Sequence, residues 1–327
     1  MTDRQKARIV LAADIGGSRA RLLLARAGRN GWRELRRRET SSAVYASIEA
    51  LLGDFLAETG EAPVAACIAV AGPIENGRAR MTNLPQTVDG ERLAARLGLS
   101  RMRLINDFAA QAHGLARLGG DDLLPLCAGE PEPEGVQAFI GAGTGLGMAM
   151  LAGAPRKPLA LASQGGLADF APRDARELAL CQTLLARHGR VSLEMLLSGR
   201  GIERLYRFVS GLPPDAPLAH DAAAITAAAL AGEAAAAETL RFFARLLATA
   251  AGNLALTVLA SGGVYLTGGI VPRILPFLRE PEVVETFRAH PSMGATLARI
   301  PLYAVRDELL GLKGAAQIAA GLARDET

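Results

Sequence analysis

Two stretches of this 327-residue chain repeat one pattern. LAADIGGSRARLLLA (residues 11–25) and VQAFIGAGTGLGMAMLA (136–152) each run apolar, turn on glycines and run apolar again. A short apolar run bounded by glycine reads as a buried strand, so each stretch predicts strand, tight turn, strand. No other feature restricts the fold as much, because the recurrence implies an internal duplication and hence two α/β halves. The length agrees, being about twice that of a usual single domain. We expect domains at 1–117 with 309–327 and at 118–308, around a shared cleft.

The intervening segments supply the other elements. Residues 8–14, 20–26 and 32–40 read as strands, 44–58 as a helix, 64–72 as a buried strand and 78–83 as a further strand. Asp89 is placed to cap a helix running to Leu97, and a strand at 102–107 leads into a helix reaching Leu118. CAGEPEPEGV (127–136), rich in proline, glycine and acid, reads as the loop between the halves. Helices follow near 173–188, 199–209, 221–231 and 233–259; the alanine-rich stretch 221–259 suits close packing or a dimer face. Residues 262–278 read as strand, glycine pair and helix. The last helix, 309–324, is expected to pack back on the first domain.

A dinucleotide-binding fold needs GxGxxG between a strand and a helix. Here the glycines fall at 141, 143, 145 and 147 and residues 148–151 continue as strand, so that reading fails on context. GxxxxGK[ST] does not occur in the chain. A glycine turn between two strands instead lets successive backbone N–H groups reach a phosphate with no Cβ in the way. Gly16, Gly17 and Ser18 would form one such turn and Gly143, Thr144 and Gly145 the other, the two hydroxyls adding donors. Asp14, at a strand end, is a candidate for holding Mg2+ through water. Gly268 and Gly269 precede a helix start suited to a ribose or phosphate. Two ordinary β-hairpins are the plainer alternative.

Asn106 and Asp107 stand at the C-terminal end of a strand, the edge where open α/β sheets carry ligand chemistry. A carboxylate at a helix start is held ionised by the dipole, yet still takes a proton from a hydroxyl attacking phosphorus. Asp107 is therefore the candidate base. A plain helix cap is the alternative.

Several segments together resemble the bacterial glucokinases of the hexokinase/actin-like ATPase superfamily. They are ADIGGSRARLLLA, AVAGPIENGRARMTNLPQ, LINDFAAQAHGLARL, GAGTGLGMAML, GGLADFAPRDARELAL, VSLEMLLSGRGIERLYR and LTGGIVPRILPFL, in the family's order and covering essentially the whole chain. The zinc-binding cysteine cluster of the related repressor/kinase group is absent, so the zinc-free branch is the nearer likeness. The resemblance implies an α/β, two-domain ribonuclease H-like/actin-like ATPase fold. Each domain would hold a five-stranded mixed sheet with flanking helices, and the pair would close on a sugar and MgATP. It implies transfer of the γ-phosphoryl group to a sugar 6-hydroxyl, with Asp107 as base, Asn106 beside it, and Asn83 and Glu194 as further sugar contacts. Asp14, Gly16, Gly17 and Ser18 match the first phosphate turn, Gly143, Thr144 and Gly145 the second, and Gly268 and Gly269 the adenosine site.

The departures from the family pattern fall on the sugar side. E-G-G-H-x-D-F reads QGGLADF here, so Gln164 replaces an acid and Leu167 a histidine; Gln86 stands where tryptophan is usual and Arg19 where asparagine is. Gln164 still donates and accepts hydrogen bonds, whereas Leu167 does neither. The expected enzyme is an ATP-dependent hexose kinase, with a pocket altered beside Gln164 and Leu167 and favouring a different or C1/C2-modified hexose. Two other readings stand beside it: a weakly catalytic paralogue that regulates by binding sugar or nucleotide, and an ATPase of the same superfamily acting on a non-sugar group.

Charge and cysteine usage narrow the remaining classes. The net charge is only +3, lysine occurs only at Lys6, Lys157 and Lys313, and the basic run Arg36–Arg38 is flanked by Glu34 and Glu39 without aromatics. That reads as a solvated strand face and not as a nucleic-acid surface. Cys67, Cys127 and Cys181 lack ligand spacing and read as small buried apolar residues. His113 and the other histidines read as packed or surface imidazoles. No apolar window is long enough to span a membrane and MTDRQKAR leads straight into a strand, so a soluble, cytoplasmic protein is expected; a homodimer is a separate expectation.

Overall fold

A computed structural model describes residues 8–29, 31–81, 87–153 and 158–324. They divide into two compact units, Met1–Leu118 with Leu309–Thr327, and Gly119–Glu308. In the first unit, strand β1 (Ile9–Ile15) serves two cores at once. Leu11, Ala13 and Ile15 enter one, with Leu22, Leu52 and Phe55. Val10 and Ala12 enter the other, with Leu23, Leu312, Ala315 and Ala319. A strand covered on both faces needs apolar side chains at successive positions, which explains why its sequence runs apolar instead of alternating.

β2 (Arg19–Gly28) and β3 (Gly31–Ser41) return antiparallel beside β1. Helix α1 (Ile48–Thr59) starts later than 44 because Ser47 is its cap, accepting a hydrogen bond from Ala50 N. β4 (Ala65–Val70) then runs parallel to β1. A small antiparallel sheet follows, from β5 (Ile74–Glu75), β6 (Arg78–Arg80) and β7 (Thr87–Asp89), and Asp89 caps α2 (Gly90–Arg96). β8 (Met102–Asn106) runs parallel to β4 and leads into α3 (Asp107–Gly114), completing the order β3-β2-β1-β4-β8. On β3 the basic run is matched by acids: Arg36 pairs with Glu58, Arg37 with Glu34, and Arg38 with Asp54 and Glu58.

The C-terminal helix, Leu310–Arg324, belongs to this unit and packs on β1, β4 and α3. It meets α3 backbone to backbone. A Cβ on Gly314 would lie 1.8 Å from Ala110 O, and one on Gly114 would lie 2.2 Å from Leu310 O. Gly314→Ala must push the helices apart, and we expect it to cost about 2–3 kcal/mol in urea denaturation. Gly53→Ala, where nothing lies within 4 Å of the new carbon, should be neutral or gain about 0.5–1 kcal/mol. Equal behaviour of the two variants would refute the close contact.

The second unit repeats the plan and enlarges it. β10 (Gln137–Ala142), β11 (Leu146–Ala152) and β12 (Leu159–Ser163) form the antiparallel part, and β13 (Gly263–Thr267) and β14 (Leu302–Val305) add parallel strands. A sixth strand, β9 (Leu123–Cys127), pairs antiparallel with β14, so the sheet is β12-β11-β10-β13-β14-β9 and not the five-stranded sheet expected. Cys127 therefore closes a strand and does not open the loop. The edge position tolerates Pro125, which has no N–H to give.

Helices α4 (Ala175–His188), α5 (Leu193–Leu196), α6 (Gly199–Val209), α7 (Ala222–Leu230) and α8 (Ala234–Val258) follow β12. α8 is the core of the unit: Ala236, Ala244, Ala248, Ala251 and Ala255 are buried within it. Those alanines serve close packing, whereas α7 leaves Ala223 and Ala227 exposed. Cys67 and Cys127 are buried as expected, whereas Cys181 is only half-buried. Among the described residues no helix is long and apolar enough to cross a membrane.

Candidate active site

Strand register brings together the candidates of the first unit. Ile15 pairs with Val70 and Val70 with Asn106, so the carboxyl ends of β1, β4 and β8 are level, and Asp14 and Asp107 share that edge. The turn Gly16–Ser18 leaves β1 there. Gly16 N donates to Arg19 O at 2.9 Å, and Ser42 braces the loop by donating through Oγ to Gly16 O at 2.8 Å and through N to Ser18 O at 3.2 Å. Neither Gly16 nor Gly17 adopts a positive φ. The turn does not itself demand glycine, so the bare backbone leaves room for an incoming group. Ser18 is exposed. Ser42 carries no motif, and nothing in the sequence marks it.

Asn106 is the cap of α3. Its Oδ1 accepts from Phe108 N at 3.0 Å and Ala109 N at 3.2 Å, while Nδ2 donates to Gly72 O at 3.2 Å and to Asp107 Oδ1 at 3.0 Å. An amide offers two donors and two lone pairs, so all four are in use, and a ligand must displace one of these partners to reach it. Asp107 itself is the first residue of the helix, not its cap. Its bonds to Phe108 N, at 3.0 Å, and to Asn106 both end on Oδ1.

The helix dipole does not hold Asp107 in the ordinary carboxylate range, contrary to expectation. Burial pushes its carboxyl up to about 7, and the negative charge of Asp14 adds to the rise, outweighing the N–H groups that favour the anion. Burial likewise raises Asp14 to about 6, against the opposing charge of Arg21, its neighbour across the β1–β2 ladder. The C-terminal helix also closes on Asp14. A Cβ at Gly311 would lie 2.7 Å from Asp14 Oδ2, so the helix presents bare backbone to the carboxylate. Arg21 and Gly311 are further site residues that the motifs did not single out.

A second group of candidates lies on the other unit, at the corresponding edge of its own sheet. Ile140 pairs with Leu266 and Gly141 with Thr267, so the turn after β10 and the glycine pair after β13 emerge together. Gly268 has φ 87° and a Cβ there would lie 2.4 Å from Ala142 O; only glycine fits. Gly143 and Gly269 have nothing within 4 Å on the side where a Cβ would point, and Thr144 is exposed. Thr267 Oγ1 is buried beside the pair without a hydrogen-bond partner.

Glu194, on α5, accepts a hydrogen bond from Leu146 N at 3.0 Å. Gln164 precedes the short turn Gly165–Leu167 after β12 and Leu167 ends it, and both are exposed, Leu167 by 50 %. The candidates thus form two groups. Asp14, Gly16, Gly17, Ser18, Asn106 and Asp107 sit on the first unit, whereas Gly143, Thr144, Gly145, Gln164, Leu167, Glu194, Gly268 and Gly269 sit on the second. Asn83 and Gln86 lie outside the described residues.

No group of three metal-ligating side chains occurs among the described residues. Mg2+ does not require one, since it keeps waters and takes phosphate oxygens beside one or two carboxylates, and Asp14 is such a hard oxygen donor. Known proteins resemble the chain over nearly its whole length. The glucokinase family model matches residues 11–322. A glucokinase of Chromobacterium violaceum is 39% identical over 308 residues, 94% of this chain and 88% of its own. The crystal structure of a glucokinase from an Antarctic psychrotroph superposes with a TM-score of 0.83 at 32% identity, covering 96% of this chain and 99% of that one. A ROK family glucokinase from Streptomyces griseus, solved in complex with glucose and AMPPNP, shares the fold at a TM-score of 0.68 and 20% identity, covering 96% and 99%.

Proposed function

The chain belongs to the glucokinase family and has its actin-like ATPase fold, and from that premise we propose that it moves the γ-phosphoryl group of ATP to the 6-hydroxyl of a hexose, with Asp107 as the base. The observation that carries this reading is a carboxyl group raised to about 7 at the sheet edge from which the Gly16–Ser18 turn emerges. A base works best when its affinity for the proton lies near the working pH. Asp107 accepts the hydroxyl proton as the sugar oxygen attacks phosphorus. Phosphoryl transfer asks the protein mainly for positioning and charge stabilisation. The turns 16–18 and 143–145 supply these through backbone N–H groups and the hydroxyls of Ser18 and Thr144.

The pair Gly268 and Gly269 leaves room for the nucleoside. Asp14 would hold Mg2+, whose chemistry there would be neutralisation of charge on the phosphates. Asn83, Asn106, Gln164, Leu167 and Glu194 face the sugar. A regulator that binds without turnover is not favoured, because the family assignment spans the chain. We place the enzyme in the cytoplasm as a homodimer.

Leu167 cannot hydrogen-bond a hydroxyl, and a buried hydroxyl left unpaired costs roughly 1–3 kcal/mol, or about ten- to a hundredfold in affinity. ADP release measured over a panel of hexoses and of C1- and C2-modified hexoses tests both parts of the proposal. Release that requires a sugar supports the kinase. A modified or different hexose with a KM at least tenfold below that of glucose supports the altered pocket. Release independent of every sugar would refute the first, and glucose as the best substrate would refute the second.

A further inference from the structure

We propose that Glu194 is a positioning residue for the second phosphate turn, tying the nucleotide side of the second unit to its sugar side through Leu146. The inference rests on the reading of Gly143–Gly145 as a phosphate turn and adds to Glu194 a task distinct from touching sugar.

Three observations lead there. The backbone N–H of Leu146, the residue closing the turn, donates to Glu194 Oε2 at 3.0 Å. A bond from N–H to an ionised carboxylate is about twice as strong as one between neutral groups. Position 145 has no positive φ, yet a Cβ there would lie 2.4 Å from Glu194 Oε2. A side chain at 145 would therefore have to displace the carboxylate. On its other side Leu146 is pinned by the loop after β12: a Cβ on Gly166 would lie 1.9 Å from Leu146 O, and one on Gly165 would lie 2.6 Å from Met148 Sδ.

The segment bearing Glu194 is in turn fastened to that loop. Leu193 N donates to Ala168 O at 2.9 Å and Phe170 N to Val191 O at 2.8 Å, with Asp169 and Ser192 bridged between them. At the start of α6, Gly199 N donates to Gly143 O at 2.9 Å. Turn, Glu194 and the Gln164–Leu167 loop are thus one hydrogen-bonded circuit. Oε2 is used on the turn. A sugar hydroxyl bound at Oε1 fixes the same side chain, so sugar and nucleotide tighten each other's binding through this carboxylate, reciprocally.

Calorimetric binding of Mg-AMPPNP to the full chain, with and without glucose, tests the proposal. Without sugar, Glu194→Ala should weaken AMPPNP about five- to twentyfold, while Glu194→Gln, which keeps an acceptor of the same length, stays within about threefold of the parent. Gly145→Ala should cause a similar loss with Glu194 intact, because its new carbon displaces the carboxylate. This second variant decides the question should Glu194→Ala fail to fold. Any tightening of AMPPNP by glucose in the parent should vanish in Glu194→Ala. Unchanged sugar-free AMPPNP affinity in the folded variants would overturn the positioning role. A parent chain that binds no AMPPNP would instead overturn the phosphate-turn reading beneath it.

Discussion

Asp107→Asn should lower sugar-dependent ADP release by about 10²–10⁴-fold in kcat, the range attributable to one positioned base. Asparagine keeps the size of the side chain and can still accept from Phe108 N as Asp107 Oδ1 does, so the start of α3 and the sheet edge persist. What it cannot do is accept the hydroxyl proton. The loss should therefore fall on turnover, with Mg-AMPPNP affinity within a few-fold of the parent. This pattern separates a missing base from a damaged site, which would weaken binding and turnover together. The parent kcat/KM should also rise with pH through about 7, where Asp107 gives up its proton in the free protein. A variant retaining more than a tenth of the parent kcat would remove Asp107 from the role.

What the sequence showed well was local. The strand–turn–strand of 11–25 and its echo at 136–152 were legible because each needs only neighbouring residues to be recognised. The strand ending at Asn106 and the helix after it were legible for the same reason. The echo also extends to topology: β12-β11-β10-β13-β14 repeats β3-β2-β1-β4-β8, which places each glycine turn at the carboxyl edge of its own sheet.

What stayed hidden depends on residues brought together from far apart. β9, β12 and β14 are strands of four or five residues, too short for their pattern to stand out from loop. Ser42 braces the first turn from the end of β3, and Gly311 lies against Asp14 from the C-terminal helix. Neither is near its partner in sequence. Glu194 could be matched by resemblance to a sugar contact, yet its hold on Leu146 N follows only from the packing of α5 against the turn. The raised Asp107 carboxyl is hidden for a related reason: the dipole is a local property legible in the sequence, whereas burial and the charge of Asp14 are tertiary.

That raised carboxyl has a consequence for stability. In the unfolded chain the Asp107 carboxyl titrates near its ordinary 3.8, whereas in the folded protein it does so at about 7. Between those values the native state keeps a proton that the unfolded chain releases, so stability from this group is full below about pH 4 and is lost as pH rises to 7. The full shift corresponds to about 4 kcal/mol at most; because the side chain is not wholly shielded, about 2–3 kcal/mol is the expected size. Asp14, raised to about 6, adds a penalty of the same sign. Asp54 and Asp89, held below the usual range by hydrogen bonds, Arg38 being the first cause for one and Arg92 N for the other, contribute the opposite slope at acid pH. The measurement must therefore be a difference. In urea denaturation without metal or nucleotide, Asp107→Asn should be more stable than the parent by about 2–3 kcal/mol at pH 8, and the gain should shrink towards zero at pH 4. The substitution that removes turnover is thus expected to strengthen the fold, as follows when a carboxylate is kept out of water for its chemistry. A gain independent of pH, or a loss at pH 8, would show that Asp107 is not held above its ordinary range.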